Sequence, residues 1–412
     1  MTSAKVGQRM KRWGEQRWIL DAVIATVGPE WDQARLAAKA RPGGREAAAE
    51  FRLAGSRMKK FDDIAREFAA AARRREAKAN ALADQGRMVS AGESYIIAAL
   101  LWASARWPIF EVNDEILGYE DRMNSCYDKY IAFATHPIER IELPFPDKSL
   151  PAFFHLPHKP KSGEKFPAIL IIGGMDGSKE NMVSIYGDPL LSRGMAVLAL
   201  DGPGQGECCT RGIHVTENNH ADAAAAALDW LSANPDVDTG RIAIKGSSFG
   251  TYWGTVAAAA HGDRIKGFAA SGICQEPGCN TIFNMASPSF KARYMFMSGY
   301  EDEAEFDEFI KKIDLRPIAG NITCPYMILA GENDHLSPIE HTYALFDQIT
   351  APKRLVVYQG AHHGIGGSQS ATLGEDGATM MADWLRDRID GKDMVSEKWF
   401  IESSGRARIT PY

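Results

Sequence analysis

A serine, an acid and a histidine can together break a bond to a carbonyl carbon, and this chain carries each of them at the end of a short apolar run. Ser248 stands between Gly246 and Gly250 in IAIKGSSFGTYWG, where a buried strand passes through a glycine-flanked turn into a helix. Small flanking residues allow the strained turn that lifts the central side chain above a sheet edge, which makes Ser248 the candidate nucleophile and Ser247 a local hydrogen-bonding neighbour. A hydroxyl is a weak nucleophile until a base takes its proton, and that base needs an orienting carboxylate. MILAGENDHLSP supplies Asp334 just past a strand tip, and LVVYQGAHHG supplies His362 and His363 at the end of another. Asp334 has an alternative use as a cap for the helix after Pro338. One of the two histidines must be spare; His362 is favoured as the base, with His363 kept as the alternative.

The oxyanion formed by attack on a carbonyl needs two backbone N–H groups. Phe249, the residue after the nucleophile, offers one. The turn IIGGMDGSKEN offers the other at Met175, because Gly173 and Gly174 let the backbone come close to a substrate. Asp176 in the same turn either caps the helix that begins near Ser178 or acts as an acid beside the nucleophile. DGPGQGE at 201–207 has alternating glycines but no dinucleotide or P-loop fingerprint. His155 and His158 lack further ligand partners, and His214 and His220 fit the entry of a helix near Asn219, so no metal and no cofactor are expected.

The elements that must position these groups fall into two kinds. Before residue 138 the pattern is helical: Met58, Phe61, Ile64 and Phe68 recur at helical spacing in one long amphipathic stretch ending near Gly86, followed by SAGESYIIAALLWASARW and DEILGYEDRMNSCYDKYIAFAT. From 139 on, IERIELPF and LPAFFHLP form a hairpin pair. FPAILIIGG, MAVLALDGPG, RIAIKGSS, IKGFAASG, CPYMILAGEND and RLVVYQGAHH then alternate with helices. Near-continuous apolar strands separated by helices mean an α/β fold, a mostly parallel sheet covered on both faces, and ligands in such sheets bind at the carboxyl ends of the strands. The expected division is a helical domain over residues 1–138 and a sheet-bearing catalytic domain over 139–412.

The 412 residues, 45% of them hydrophobic, suffice for substantial cores. A net charge of -6 gives no footprint for nucleic acid. The apolar run YIIAALLWASA is about half of a bilayer span, and the N-terminus lacks a leader pattern, so no membrane partner and a cytoplasmic location are expected. Six scattered cysteines without paired CxxC spacing are read as free buried thiols.

The segments IIGGMDGSKE, LALDGPGQGE, GSSFG, AGENDH, VVYQGAHH and MADWLRDRIDGK resemble the α/β-hydrolases related to 2,6-dihydroxypseudooxynicotine hydrolase and the fungal polyketide-shortening hydrolases. The resemblance covers roughly residues 140–392, and the N-terminal helices fit that family's lid, which implies that the helical domain is a lid that helps dimerise. It implies an α/β-hydrolase fold, a likeness to homodimers, and a serine hydrolase able to cut a carbon–carbon bond next to a ketone in an aromatic or polyketide-like small molecule. Carried over, the nucleophile falls on Ser248, the acid on Asp334, the base on His362 through a Gly-x-His pattern, and an extra acidic residue on Asp176. The chain departs from the family in having aspartate rather than glutamate at 176 and HHGIGG after the last strand. An Ala-x-His-Gly ending is similar to the peptidase branch and would select His363. The rival readings are a carboxylesterase or amide hydrolase using the same three residues, and a ligand receptor on a hydrolase scaffold.

Overall fold

The computed structural model describes residues 6, 7, 9–31, 36–365 and 376–412; the last two glycines of HHGIGG and the first five residues lie outside them. Ten strands form one sheet: β1 (Ile138–Phe145), β2 (Lys148–His155), β3 (Phe166–Ile172), β4 (Ala196–Leu200), β5 (Val237–Ser247), β6 (Phe268–Ser271), β7 (Tyr326–Gly331), β8 (Lys353–Tyr358), β9 (Glu397–Ile401) and β10 (Ala407–Pro411). Their spatial order is β1-β2-β4-β3-β5-β6-β7-β8-β9-β10. From β4 to β9 all neighbours are parallel, while β1, β2 and β10 run antiparallel at the two edges.

The apolar strands serve two cores because successive side chains point to opposite faces. In β3, Ala168, Leu170 and Ile172 join the core that also contains the N-terminal helices, whereas Ile169 and Ile171 join the core under helix Gly377–Ile389. The N-terminal helices therefore share a continuous apolar core with one face of the sheet. Helix Met88–Arg106 runs through that core. Among the described residues it alone is long and apolar enough to cross a membrane, and 72% of its most apolar window is buried inside the protein.

The long amphipathic helix expected up to Gly86 is two helices, Gly44–Ser56 and Asp63–Asp84. The break has a local cause: Asp63 Oδ2 accepts the N–H groups of Lys59 and Lys60 at 2.8 and 3.1 Å, and Asp21 Oδ1 accepts that of Phe61 at 2.8 Å. Carboxylates that satisfy backbone donors at a helix start compete with continuation of the preceding helix. Met58 and Phe61 stay buried across the break. Strands β9 and β10 were not expected; half-buried EKWFI and exposed ARITP lack a clear apolar pattern.

Candidate active site

Gly173 to Met175 follow β3, Ser248 follows β5, Asp334 follows β7 and His363 follows β8, so parallel pairing brings four distant segments to one sheet edge. Ser248 has φ 55° and ψ -130°, a conformation that L-residues avoid and that holds roughly 1–3 kcal/mol of strain. The flanking glycines are dictated by contact. A Cβ on Gly250 would sit 2.1 Å from the Ile172 carbonyl oxygen, and one on Gly246 would sit 2.3 Å from that of Gly250. Gly174 approaches the serine itself: its Cβ would be 2.6 Å from Ser248 Cβ.

His363 Nε2 lies 3.0 Å from Ser248 Oγ, and His363 Nδ1 lies 2.9 Å from Asp334 Oδ2. Asp334 Oδ1 accepts the N–H groups of Leu336 and Ser337 at 2.9 and 3.2 Å, so the carboxylate holds its own turn as well as the imidazole. Burial raises the Asp334 carboxyl, but His363 and the two N–H donors outweigh it and the net shift is downward. A carboxylate on Nδ1 directs the proton there and leaves Nε2 to accept one from the serine. The expectation that His362 is the base is corrected: its Nδ1 lies 2.8 Å from the Asn333 carbonyl oxygen and its ring meets His335, away from Ser248. Adjacent residues of an extended turn face opposite sides, and only His363 faces inward.

Phe249 opens helix Phe249–His261, where a first-turn N–H has no partner within the helix. Buried Met175 follows the close approach of Gly174 to Ser248. Asp176 does not cap the turn at Lys179–Asn181, where Ser178 N–H meets Asn181 Oδ1 instead. Its Oδ1 accepts from Trp107 Nε1 at 3.1 Å, which ties it to the N-terminal helices. A cavity of about 20 Å³, room for roughly one water, lies there between Asp176, Trp107, Lys39, Arg293 and Phe296.

Sequence reasoning missed what holds the loop from Gly173 to Asn181. Gln205 Nε2 donates to the carbonyl oxygens of both Gly173 and Gly174 at 2.9 Å. Beneath them the Lys179 ammonium is wholly buried among Glu180, Asp201 and Glu207. Burial alone would lower the Lys179 pKa, but the three carboxylates raise it above its ordinary value. Lys179 and Arg211 overcome the burial of Glu207 and hold its carboxyl down at about 2. The three carboxylates are close enough to hold a cation, and the lysine fills that place. The alternating glycines of DGPGQGE carried the signal: a Cβ on Gly206 would sit 1.9 Å from Asp201 Oδ2 and one on Gly202 2.4 Å from His220 Cε1. They are packing glycines. His155 is buried against His136 at 2.9 Å, His158 meets Glu164 at the surface, and His220 stacks on Trp253 with its pKa driven down to about 3 by burial.

Comparison with known proteins returns the resemblance read from the motifs. A family model described as Esterase FrsA-like matches residues 64–297, more than half of the chain, and an X-Pro dipeptidyl-peptidase (S15 family) model matches residues 269–364. Alpha/beta hydrolase ucsC of Acremonium sp is 28% identical over 239 residues, covering 53% of this chain and 48% of that protein. The chain thus spans about half the length of that fungal relative. The 2,6-dihydropseudooxynicotine hydrolase of Paenarthrobacter nicotinovorans is 25% identical over 304 residues, 73% of this chain and 78% of that one. The crystal structure of 2,6-dihydroxy-pseudo-oxynicotine hydrolase superposes with a TM-score of 0.72 at 23% identity, covering 89% of this chain and 98% of that one, so the fold is shared.

Proposed function

Because this chain belongs to the FrsA-like esterase family of α/β-hydrolases, we propose that it is a serine hydrolase that cleaves a carbon–carbon bond next to a ketone in an aromatic or polyketide-like small molecule. The observation that carries the hydrolase reading is the hydrogen-bonded line from Ser248 through His363 to Asp334. His363 Nε2 takes the Ser248 proton as Oγ attacks the ketone carbon, whose oxygen is received by the N–H groups of Phe249 and Met175. The carbon–carbon bond breaks, its electron pair leaves on the departing carbon as an enolate or electron-rich aryl group, and that carbon takes up the proton carried by His363, which returns the imidazole to its neutral form. Water, deprotonated by His363, then releases the acyl group as a carboxylic acid and restores Ser248.

Asp176 supports the choice of bond. It stands one residue beyond the proposed oxyanion donor Met175, under Trp107, where it can relay the His363 proton to the leaving carbon. The second reading, a carboxylesterase, is favoured by the family's own description; there the leaving oxygen needs only His363 as acid. The deciding experiment compares a short p-nitrophenyl ester with an aryl 1,3-diketone, using the native protein, Ser248→Ala and Asp176→Asn. Carbon–carbon cleavage is expected in the native protein and not in Ser248→Ala, with Asp176→Asn slowing the diketone far more than the ester. Ester cleavage with the diketone untouched would establish the esterase.

A further inference from the structure

Arg293 sits on helix Pro288–Ser298, whose Tyr294 packs on Phe249 at 4.7 Å, and it is only 5% exposed. Its Nε is buried with no hydrogen-bond partner, and among the described residues its guanidinium makes no hydrogen bond and no ion pair. Lys179 and Arg106, the buried cations nearby with carboxylate partners, are placed differently. Lys179 has three carboxylates, Arg106 pairs with Glu120 at 2.6 Å, and Lys39 lies 4.1 Å over the Trp107 ring. A buried charge without a counterion is expensive to keep, and burial does lower the Arg293 pKa, opposed in part by Asp176.

The surroundings say what could relieve that cost. Arg293 lines the cavity of about 20 Å³ beside Asp176, and its guanidinium lies 5.7 Å over the Phe296 ring. Phe296 also lines a second, outer chamber of about 430 Å³, walled by apolar Val6, Met10, Phe110 and Met295. Of the charged groups at that chamber, Arg9 and Glu301 are paired with each other at 2.8 Å, and the Glu111 carboxylate also lines it. Phe296 thus lines both a space of ligand size and the cavity beside the guanidinium, which makes no ion pair among the described residues. A planar guanidinium fork matches a planar anion with two oxygens.

We propose that Arg293 is the docking point for a two-oxygen anion on the substrate, a carboxylate or the enolate of a 1,3-dicarbonyl, that enters from the outer chamber past Phe296. The site deepens the hydrolase reading by naming a substrate class, and its binding test does not depend on turnover. Ser248→Ala protein is titrated calorimetrically with 3-phenylpropanoate, with its uncharged primary amide, and with benzoylacetone at pH values below and above that diketone's own pKa. The carboxylate is expected to bind about 30-fold or more tighter than the amide, as the loss of a buried charge partner implies, and Arg293→Met to erase that preference. Benzoylacetone binding that tightens on ionisation and depends on Arg293 marks an enolate, and preference for the carboxylate alone marks an acid. Equal binding of acid and amide together with benzoylacetone binding that does not tighten on ionisation, no binding of either anion, or a preference that survives Arg293→Met would each overturn the site.

Arg293→Met should melt at the same temperature as its parent or higher, since an apolar side chain replaces an uncompensated charge. If it melts lower, Arg293→Lys, which keeps the charge, decides: retention of part of the anion preference supports the site and its complete loss overturns it. Turnover of a neutral ester by the Ser248 protein reports separately on the hydrolase reading. A protein that fails that assay and still selects the anion loses the reaction and keeps the site.

Discussion

The loop from Gly173 to Asn181 has two sides that treat polar groups in opposite ways. Below it, Lys179, Glu180, Asp201 and Glu207 are buried together and compensated, and Gln205 ties down two carbonyl oxygens. Above it, Ser248 is held at φ 55°, Asp176 faces a cavity, and Arg293 is buried and makes no ion pair among the described residues. The underside spends its polar groups on each other and fixes the loop, while the upper side leaves them poised for something that arrives. Changes below should therefore act on stability or on loop position, and changes above on turnover or binding.

The largest effect tests the upper side. With a neutral p-nitrophenyl ester, His363→Ala is expected to lower kcat by about 10⁴-fold or more, because members of such a triad act as a unit. His362→Ala, which removes the contacts to the Asn333 carbonyl oxygen and the His335 ring, should lower it by less than about tenfold. A reversal of the two would break the assignment of the base. Next comes the underside: Lys179→Met leaves three carboxylates facing a thioether, and loss of one partner from such a buried cluster is expected to destabilise by about 3–5 kcal/mol. Urea unfolding reads this directly. Lys179→Met protein of native stability would mean that the cluster does not hold the loop.

How much of this was legible in the sequence follows from how local each signal is. The glycines that flank Ser248 stand within five residues, although Gly250 answers to the distant Ile172 carbonyl oxygen, so the nucleophile and the strand-turn-helix could be read from spacing alone. The choice between His362 and His363 turns on which way one peptide unit faces after β8, and no composition rule carries that. The cluster under the loop joins residues 179, 180, 201 and 207 through the parallel pairing of β3 and β4, so its members look like ordinary surface charges in the sequence. Arg293 was invisible for the opposite reason: a lone arginine in SPSFKARYMFMS gives no sign that its helix packs against Phe249 and buries it.

A smaller effect sharpens the account of the underside through pH. The native Glu207 carboxyl lies at about 2 against an ordinary 4.5, so the stability it contributes is fully present above about pH 4.5 and is lost as pH falls toward 2. Glu207→Gln cannot titrate there. The native protein should lose stability more steeply than Glu207→Gln between pH 5 and pH 3, with a difference of about 1–3 kcal/mol accumulating over the window. Parallel unfolding curves for the two proteins would show that Glu207 gains nothing from Lys179 and Arg211.

Gln205 belongs to both sides, and its substitution should give the smallest but most discriminating result. Its amide donates to Gly173 and Gly174 from below, and Gly174 touches Ser248 from beside the proposed oxyanion site. Gln205→Leu removes the donor while roughly keeping the volume, so the two carbonyl oxygens lose their tether and Met175 N–H drifts from where the oxyanion forms. Misplacement of a donor that acts only in the transition state lowers kcat and leaves KM nearly unchanged. A roughly tenfold fall in kcat is expected, less than the outright loss of an oxyanion donor would give. Should Gln205→Leu instead lower the melting temperature with kcat unchanged, the amide would belong wholly to the compensated underside, and the loop would owe its active-site geometry to the glycines alone.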